Sequence, residues 1–414
     1  MSNSLKTGLD ILAENDFQCL KGCRIGLVAN QSSITSDFRY SFDLLVKSKK
    51  VNLAAIFSPE HGRFGSEQDM VPVKDQRFDP GKNRPERQKK PAGKKKSADT
   101  PVPVISLYGK TGRSLIPDKK AMESLDALVF DVQDVGARYY TFIYTMSFCM
   151  EACAKHGKTM FILDRPNPIN GINLEGPVLK KSFSSFVGRF PIPVRHGMTV
   201  GELAFLFNVE FGIGCELRII KMKGWKRRMW FDETGLPWIA PSPNMPTLDT
   251  ATLYPGTCLL EGTNLSEGRG TTKPFEYIGA PWIDPERFTK ALKEEKLPGV
   301  VFRPIRFQPK FQKWKDEACG GVHIAVTDRR CFKPFLTGVA ILSAALKLYP
   351  GQFQWRQEPY EFVDDRLAID LLAGSDRLRR QLESGTSLKR IESSWQKELK
   401  SFAATRKKYL LYPY

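Results

Sequence analysis

The chain has 414 residues, of which 41% are hydrophobic and 11% aromatic, and it carries a formal net charge of +18. This length exceeds what one hydrophobic core usually holds, and the apolar content excludes a disordered chain. An uninterrupted apolar run of about 18 residues is absent from the sequence, which excludes a spanning helix. The amphipathic N-terminus carries Asp10, Glu14 and Asp16 where an export signal needs an apolar run, so we expect a cytoplasmic location.

The excess positive charge is concentrated in one segment. Residues 74–96 contain ten Lys or Arg and three Asp or Glu, and they are rich in Pro and Gly. This composition cannot bury a core, and it predicts a flexible basic insertion over 74–100. A nucleic-acid-binding protein built on this insertion is one alternative, but we expect no nucleic-acid partner because the remaining charge is spread along the chain.

Motifs for metals and common cofactors are missing. The eight cysteines form no CxxC pair, and the sequence contains neither an HExxH helix nor a GxxxxGK[ST] phosphate loop. The first predicted strand leads into ANQSS where a dinucleotide-binding protein has GxGxxG. The string NLSEG at 264–268 lacks the first glycine of a GxSxG nucleophile elbow, which leaves an esterase weakly supported. We expect no cofactor and no metal.

Strand-like and helix-like segments alternate in the first half. The predicted strands cover 24–28, 53–57, 104–107, 127–131 and 160–164, and the predicted helices cover 36–47, 119–124 and 139–156. Repeated units of this kind imply a parallel sheet with right-handed crossovers. We therefore predict an α/β fold with a Rossmann-like domain over 1–190.

The second half opens near Pro191 and predicts a second α/β unit over 191–414. Thr199 and Glu202 form a capping box that starts a helix running to about Glu210. Further strands are predicted at 216–222, 300–305 and 321–327, and further helices at 285–296, 335–348, 364–373 and 387–403. Two long polar loops, 241–247 and 261–272, favour a functional role because such loops are uncommon inside compact domains.

Polar loops follow four of the predicted strands at their carboxyl ends, where open parallel sheets bind ligands. In one of them Glu60 and His61 leave an apolar strand, where partial desolvation would raise the pKa of the carboxyl toward that of a general acid. Capping a helix or pairing with Arg63 is the structural alternative for Glu60. Glu267 is the better candidate for a second carboxylate, whereas a structural role is an equal alternative for Glu261. Two carboxylates are the minimum set for cleaving a glycosidic bond.

Other polar residues at strand ends and loops are candidates for contacting a sugar substrate. Aspartates can bind sugar hydroxyls, and arginines can bind a lactyl or other carboxylate. The alternatives are Asp–Arg pairs that fix the loops and, for the histidine, capping of a helix end. These candidates are Asp131, Arg138, Asp164, Arg165, Asn167 and His196.

Several strings together resemble the NamZ-type exo-β-N-acetylmuramidase family. They include SPEHG, LVFDVQDVGARYYTFIYTM, LDRPNPING, PSPNMPT and EGTNLSEGRGTT, and matches run in order from about residue 7 to the closing LLYPY. The resemblance implies removal of terminal non-reducing β-N-acetylmuramic acid from peptidoglycan fragments. It also implies a Rossmann-like N-terminal domain, a smaller C-terminal domain and an active-site cleft between them. Glu60 matches the family's catalytic glutamate, and Asn244, Asn264 and Arg269 match loops expected to contact the sugar.

Two other functions remain open. The same cleft would suit a hydrolase of another acylated or phosphorylated sugar. A non-catalytic protein that binds peptidoglycan fragments would keep the fold without turnover, although the presence of Glu60 argues against it.

Overall fold

The computed structural model describes residues 5–78 and 101–414. Within these residues the strands are β1 Arg24–Ala29, β2 Asn52–Ser58, β3 Gln76–Phe78, β4 Val102–Ser106, β5 Ala127–Asp131, β6 Thr159–Leu163, β7 Glu175–Val178, β8 Pro193–Arg195, β9 Glu216–Ile220, β10 Tyr277–Ala280, β11 Val300–Phe307 and β12 Cys319–Val326. The α-helices are α1 Gly8–Glu14, α2 Ser41–Lys47, α3 Lys119–Glu123, α4 Phe142–His156, α5 Val200–Val209, α6 Leu248–Thr257, α7 Pro285–Glu294, α8 Pro334–Leu348, α9 Ala368–Ala373, α10 Arg377–Glu383, α11 Leu388–Ser394 and α12 Gln396–Arg406.

A seven-stranded sheet organises the first half of the molecule. Its strand order is β3-β4-β2-β1-β5-β6-β9, and every neighbouring pair is parallel except β3 with β4. Strand β5, an interior strand of this sheet, is buried along its whole length because helices cover both faces, which is why its sequence ALVFD lacks polar alternation. The predicted α/β fold with a Rossmann-like parallel sheet is confirmed, as are all five strands predicted in the first half.

A small antiparallel sheet follows in the second half, with the order β10-β12-β11. Helix α8 packs against α6, and their backbones come into direct contact at two glycines. A Cβ atom on Gly256 would lie 1.8 Å from the carbonyl oxygen of Pro334, so this position requires glycine. Helix α6 was not predicted, because Pro255 and Gly256 read as helix breakers although they occupy its last turn.

Three sequence-based boundaries differ from the structure. Strand β3 lies inside the predicted flexible insertion and pairs with β4, so the flexible assignment is wrong for 76–78, while 79–100 lie outside the described residues. The predicted helix 387–403 is two helices, α11 and α12, which meet at the buried Trp395. Strand β9 extends the large sheet past residue 190, and the division of the chain at that residue stays a prediction.

The main apolar core is continuous across the two halves. One cluster of buried side chains runs from Val28 and Phe130 in the large sheet to Phe335 in α8 and Phe402 in α12. A second cluster fills the opposite face of the sheet under α1 and α2. Loops from both halves are therefore held against each other by a shared core. Among the described residues, the helices are all too short or too polar to cross a membrane.

The C-terminal segment is tied to the sheet through the capping box of α5. Thr199 and Glu202 form this box as predicted, and the Glu202 carboxylate also accepts a hydrogen bond from the Leu411 backbone N–H at 2.8 Å. Arg227 forms an ion pair with Glu202, and both side chains are fully buried. A buried ion pair of this kind is costly to break, since removing one partner leaves the other charge buried where solvent cannot stabilise it.

We predict that Arg227→Met lowers the free energy of unfolding by about 3–5 kcal/mol, because it leaves the Glu202 carboxylate buried without its cation. Urea denaturation of wild type and variant measures the change. Arg228→Met, at the adjacent exposed position, is the matched control and is expected to change stability little. Equal midpoints for the two variants would contradict this reading of the pair.

Candidate active site

Glu60 lies in a tight turn directly after β2. The next two residues, His61 and Gly62, have φ values of +68° and +79°, so the chain reverses through the left-handed region. Such a conformation is unfavourable for a histidine and persists where the surrounding structure enforces it. The Thr141 hydroxyl, one residue before α4, donates a hydrogen bond of 2.7 Å to Oε2 of Glu60. The turn and this hydroxyl together fix the position of a buried carboxyl group.

His61 is held beside Glu60 by the backbone. Its Nδ1 lies 2.8 Å from the carbonyl oxygen of Glu67, and its ring packs edge-on against Phe142. A carbonyl accepts hydrogen bonds, so we assign the Nδ1 proton to this contact. In the neutral ring, Nε2 is then the acceptor.

Glu60 opens into a narrow space that we call the inner cavity, with a volume of about 40 Å³. Its walls are largely aromatic, and four carboxyl groups lie among the residues that line it. They are Glu60, His61, Asp69, Tyr139, Tyr140, Thr141, Phe142, Val187, Ser242, Asn244, Met245, Tyr254, Glu261, Arg269, Phe275, Tyr360 and Glu361.

A wider space, the outer cavity, adjoins the inner one and has a volume of about 600 Å³. The two cavities share Asp69, Glu261 and Arg269. The other residues lining the outer cavity are Met70, Thr263, Asn264, Glu267, Gln312, Lys313, Trp314, Gln354, Trp355, Arg356, Gln357 and Glu358. Together the cavities form a cleft that narrows toward Glu60.

Arg269 is bound by three acids at the junction of the two cavities. Its guanidinium lies 2.8 Å from Glu267, 2.9 Å from Glu261 and 3.5 Å from Asp69, and it stacks 4.9 Å from the centre of the Phe275 ring. Burial alone would lower the pKa of Arg269, but the neighbouring carboxylates outweigh burial and raise it. Arg269 therefore stays charged, and its two terminal nitrogens donate hydrogen bonds to Glu267 and Glu261 within the protein.

Glu267 does not lie beside Glu60, as a second catalytic carboxyl would. One of its oxygens binds Arg269 and the other binds Lys313 at 2.9 Å, within the wall of the outer cavity. Burial favours the neutral form, but Lys313 and Arg269 outweigh it and hold the pKa of Glu267 at about 2. A carboxylate with both oxygens bound to cations is a poor acid and a poor nucleophile. This setting favours a structural role for Glu267, and its assignment as the second catalytic carboxyl stays a prediction.

Glu361 shares the inner cavity with Glu60, and sequence reasoning missed it. It lies in the loop before α9, where Tyr360 and Val363 exchange two backbone hydrogen bonds of 2.9 and 3.0 Å. Oε2 of Glu361 accepts a hydrogen bond of 3.0 Å from the Tyr108 hydroxyl. Burial, followed by the charge of Glu60, raises the pKa of Glu361 well above its ordinary value. The string PYEF carries no local signal, because the partners of Glu361 are distant in sequence.

Two of the predicted sugar contacts line the cleft but are bound to the protein. Asn244 lies in the inner cavity and donates to the side-chain oxygen of Gln68 at 2.8 Å. Asn264 lies in the outer cavity, where its amide bonds to the backbone of Gln352 and Gln354. These asparagines hold the walls of the cleft.

The predicted carboxylate site at Asp131 and Arg165 is a buried ion pair. Arg165 binds Asp131 at 2.7 Å and also donates to the carbonyl oxygen of Ile34 at 3.0 Å. Arg138 is completely buried, and it donates to the carbonyl oxygens of Pro177, Ile192 and Leu372. These three residues are buried and bound to protein groups away from the two cavities, and their contact with substrate stays a prediction.

The remaining three candidates are likewise buried and bound to protein groups, and their contact with substrate stays a prediction. Asp164 accepts hydrogen bonds from Thr199 and the Gly201 backbone, both at 2.8 Å, and its pKa is raised to about 6 by burial. Asn167 donates to the carbonyl oxygen of Met198 at 3.0 Å. His196 is fully buried with Nε2 3.4 Å from Asp134. Polar residues at the other strand ends therefore connect loops. The end of β2 differs from them, because the carboxyl group of Glu60 lines the cleft.

The described residues contain no group of three or more His, Cys, Asp or Glu side chains arranged to hold a metal ion.

Two tryptophans of the outer cavity, Trp314 and Trp355, were also missed in the sequence. Trp314 donates its indole N–H to the carbonyl oxygen of Asn264 at 2.6 Å, and Trp355 donates to Glu383 at 2.9 Å. Aromatic rings fixed in this way offer faces on which a sugar ring can stack.

We predict that the stabilisation from ionised Glu267 depends on acid pH. Its folded pKa of about 2 lies below the ordinary 4.5, so this contribution is present above about pH 5 and is lost as pH falls through 4.5 toward 2. The stability difference between wild type and Glu267→Gln is therefore about 2 kcal/mol larger at pH 6 than at pH 3. Urea denaturation at both pH values measures it, with exposed Glu286→Gln as the control. A pH-independent difference would refute the assignment.

Comparison with known proteins places these features in a family. Residues 25–85 and 80–249 match the profile described as exo-beta-N-acetylmuramidase NamZ, N-terminal, and residues 252–412 match its C-terminal counterpart. The chain is 44% identical over 408 residues to the peptidoglycan beta-N-acetylmuramidase NamZ of Bacillus subtilis (strain 168), covering 99% of this chain and 91% of that protein.

Two solved structures share the fold over 99% of both chains. Both are DUF1343 family proteins from Bacteroides fragilis NCTC 9343, one with 32% identity and a TM-score of 0.83, the other with 29% identity and a TM-score of 0.72. The resemblance seen in the sequence is thus confirmed along nearly the whole chain. The chain belongs to the NamZ family of exo-β-N-acetylmuramidases.

Proposed function

We propose that this protein is a glycoside hydrolase that removes terminal non-reducing β-N-acetylmuramic acid from peptidoglycan fragments during cell-wall turnover. The Bacillus relative is a peptidoglycan β-N-acetylmuramidase, and 44% identity over nearly the whole chain supports the same activity here. The observation that carries the proposal is the Glu60 carboxyl, fixed by Thr141 at the narrow end of a cleft.

The shape of the cleft suits removal of a terminal sugar. Aromatic side chains, including Tyr140 and Phe142, line the inner cavity together with Glu60. A glycan that enters from the outer cavity can present its end to Glu60 in this narrower space. Substrate must widen the inner cavity, since about 40 Å³ is much smaller than a sugar ring. We assign the outer cavity, with Trp314 and Trp355, to the rest of the fragment.

We assign Glu60 to the reaction itself, because a carboxyl group at the bond is needed to transfer a proton or to act at the anomeric carbon. His61 adjoins it and would contact the same sugar through Nε2. Arg269 has a different part, since its terminal nitrogens donate to Glu267 and Glu261 and its guanidinium also forms an ion pair with Asp69. Its role is to hold the junction of the two cavities in place. The cytoplasmic location expected from the sequence stays a prediction.

We predict that wild type releases N-acetylmuramic acid from a muramyl-glucosamine disaccharide and that Glu60→Gln lowers kcat/KM by about 10²-fold or more. Glutamine keeps the size of the side chain but can neither transfer the proton nor carry the charge. Chromatographic quantitation of released sugar measures the loss. Glu286→Gln, at an exposed position on α7, is the control and is expected to retain full activity.

Three outcomes separate the functions considered. Turnover that depends on Glu60 supports the muramidase. Binding of the sugar without turnover by wild type would instead identify a non-catalytic peptidoglycan-fragment binding protein. Turnover that persists in Glu60→Gln would keep the activity and overturn the role of Glu60.

A further inference from the structure

We propose that Glu361 is the second catalytic carboxyl of this site and donates a proton to the glycosidic oxygen, acting as a pair with Glu60. This inference rests on the proposed glycosidase function. It names a residue from the second half of the chain that no motif indicated.

Glu60 and Glu361 enter the inner cavity from different parts of the fold. Each has one carboxyl oxygen held by a hydroxyl donor: Thr141 binds Oε2 of Glu60 and Tyr108 binds Oε2 of Glu361. The other oxygen of each carboxyl group forms no hydrogen bond with the residues that the structure describes. Neither of these two oxygens is among the polar atoms of the described residues that are fully buried and lack a hydrogen-bond partner. Each carboxyl thus has one fixed oxygen and one oxygen available to substrate.

The charges around the cavity decide which group keeps a proton. Arg269 is engaged by Glu261, Asp69 and Glu267, and Glu361 has no ion pair among the described residues. Glu361 faces Glu60, Asp69 and Glu261, and its hydrogen-bond donor is the neutral Tyr108. Tyr360, on the same loop, donates its hydroxyl to Glu261 at 2.6 Å. Burial and these negative neighbours raise the pKa of Glu361 well above its ordinary value, whereas two cations lower that of Glu267.

The backbone supports a dedicated position for Glu361. Its φ is +47° and that of Phe362 is +67°, so two consecutive non-glycine residues adopt the left-handed region. Each such residue costs of order 1–3 kcal/mol and persists where the fold enforces it, often at functional sites. Phe362 packs against Tyr108 with ring centres 5.5 Å apart, which ties the loop to the donor that holds Glu361.

The proposed step transfers one proton and consumes one water. Glu361 gives its proton to the glycosidic oxygen as the C1–O bond breaks, and the electron pair of that bond goes to the departing oxygen. The hydroxyl of a water molecule ends on C1, while Glu60 acts on the side of the anomeric carbon. The remaining proton of that water restores Glu361, directly or by way of Glu60. The products are free N-acetylmuramic acid and a shortened fragment with a new hydroxyl group.

The test compares two substrates whose leaving groups differ in whether they must be protonated to depart. In Glu361→Gln, we predict that kcat/KM falls by about 10²-fold or more on the muramyl-glucosamine disaccharide. On 2,4-dinitrophenyl β-N-acetylmuramide it falls by less than about tenfold, since this leaving group departs without protonation. Glutamine cannot donate the proton, and the fall in wild-type activity at alkaline pH should disappear with it. Asp364→Asn, an exposed change nearby, is the matched control.

A second variant keeps the proposal testable if Glu361→Gln does not fold. Tyr108→Phe removes the hydrogen bond that stabilises ionised Glu361, so the alkaline fall in activity moves to higher pH. Equal losses on both substrates, or no loss, in a folded Glu361→Gln protein would overturn the proposal while wild type remains active. Wild type that hydrolyses neither substrate would instead refute the proposed function.

Discussion

The inner cavity holds more negative charge than it can neutralise, and the properties of the site follow from this imbalance. Four carboxyl groups, those of Glu60, Asp69, Glu261 and Glu361, line it together with the guanidinium of Arg269. Arg269 is bound to Asp69 and Glu261 and to Glu267 outside the cavity. Like charges in a desolvated space cannot all ionise, so a proton must be retained. Glu60 and Glu361 form no ion pair among the described residues, and burial and its neighbours raise the pKa of Glu361.

The fold creates this imbalance by bringing loops from both halves of the chain together. The end of β2 supplies Glu60, and the segment after β4 supplies Tyr108. The loop between α6 and β10 supplies Arg269, and the loop before α9 supplies Glu361. A continuous apolar core joins these elements, so the loops are set by the packing of both halves. Rigid support of this kind lets polar groups remain near each other without water between them.

Sequence reasoning found the parallel sheet because its strands are buried on both faces and therefore read as continuous apolar runs. It found Glu60 because the SPEHG string places a carboxyl at a strand end. The same rule also selected Asp131 and Asp164, but polar residues at strand ends can serve to join loops. Asp131 pairs with Arg165, and Asp164 binds the start of α5, so neither opens to the cleft. Strand-end position therefore indicates a candidate without separating a ligand site from a buried connection.

Glu361 could not be identified from its own segment, because its pKa depends on partners that are remote in sequence. Glu267 shows the converse: the residue that the sequence favoured as a second carboxylate is buried and paired with two cations. Lys313 and Arg269 lie beside Glu267, whereas Glu60 and Asp69 lie beside Glu361. These neighbours set the role of each residue. Such neighbours become apparent after the fold is known, and they separate a structural carboxylate from a proton donor.

The most direct test of this account is the protonation state of Glu361 in the free protein. ¹³C NMR of protein labelled at the glutamate side-chain carboxyl carbons, titrated through neutral pH, reports it without substrate. We predict a resonance from a carboxyl group that remains protonated at pH 7 and that is missing from the spectrum of Glu361→Gln. If the resonance that Glu361→Gln removes is that of an ionised carboxyl at pH 7, the inner cavity does not hold a proton on Glu361 and the proposal is contradicted.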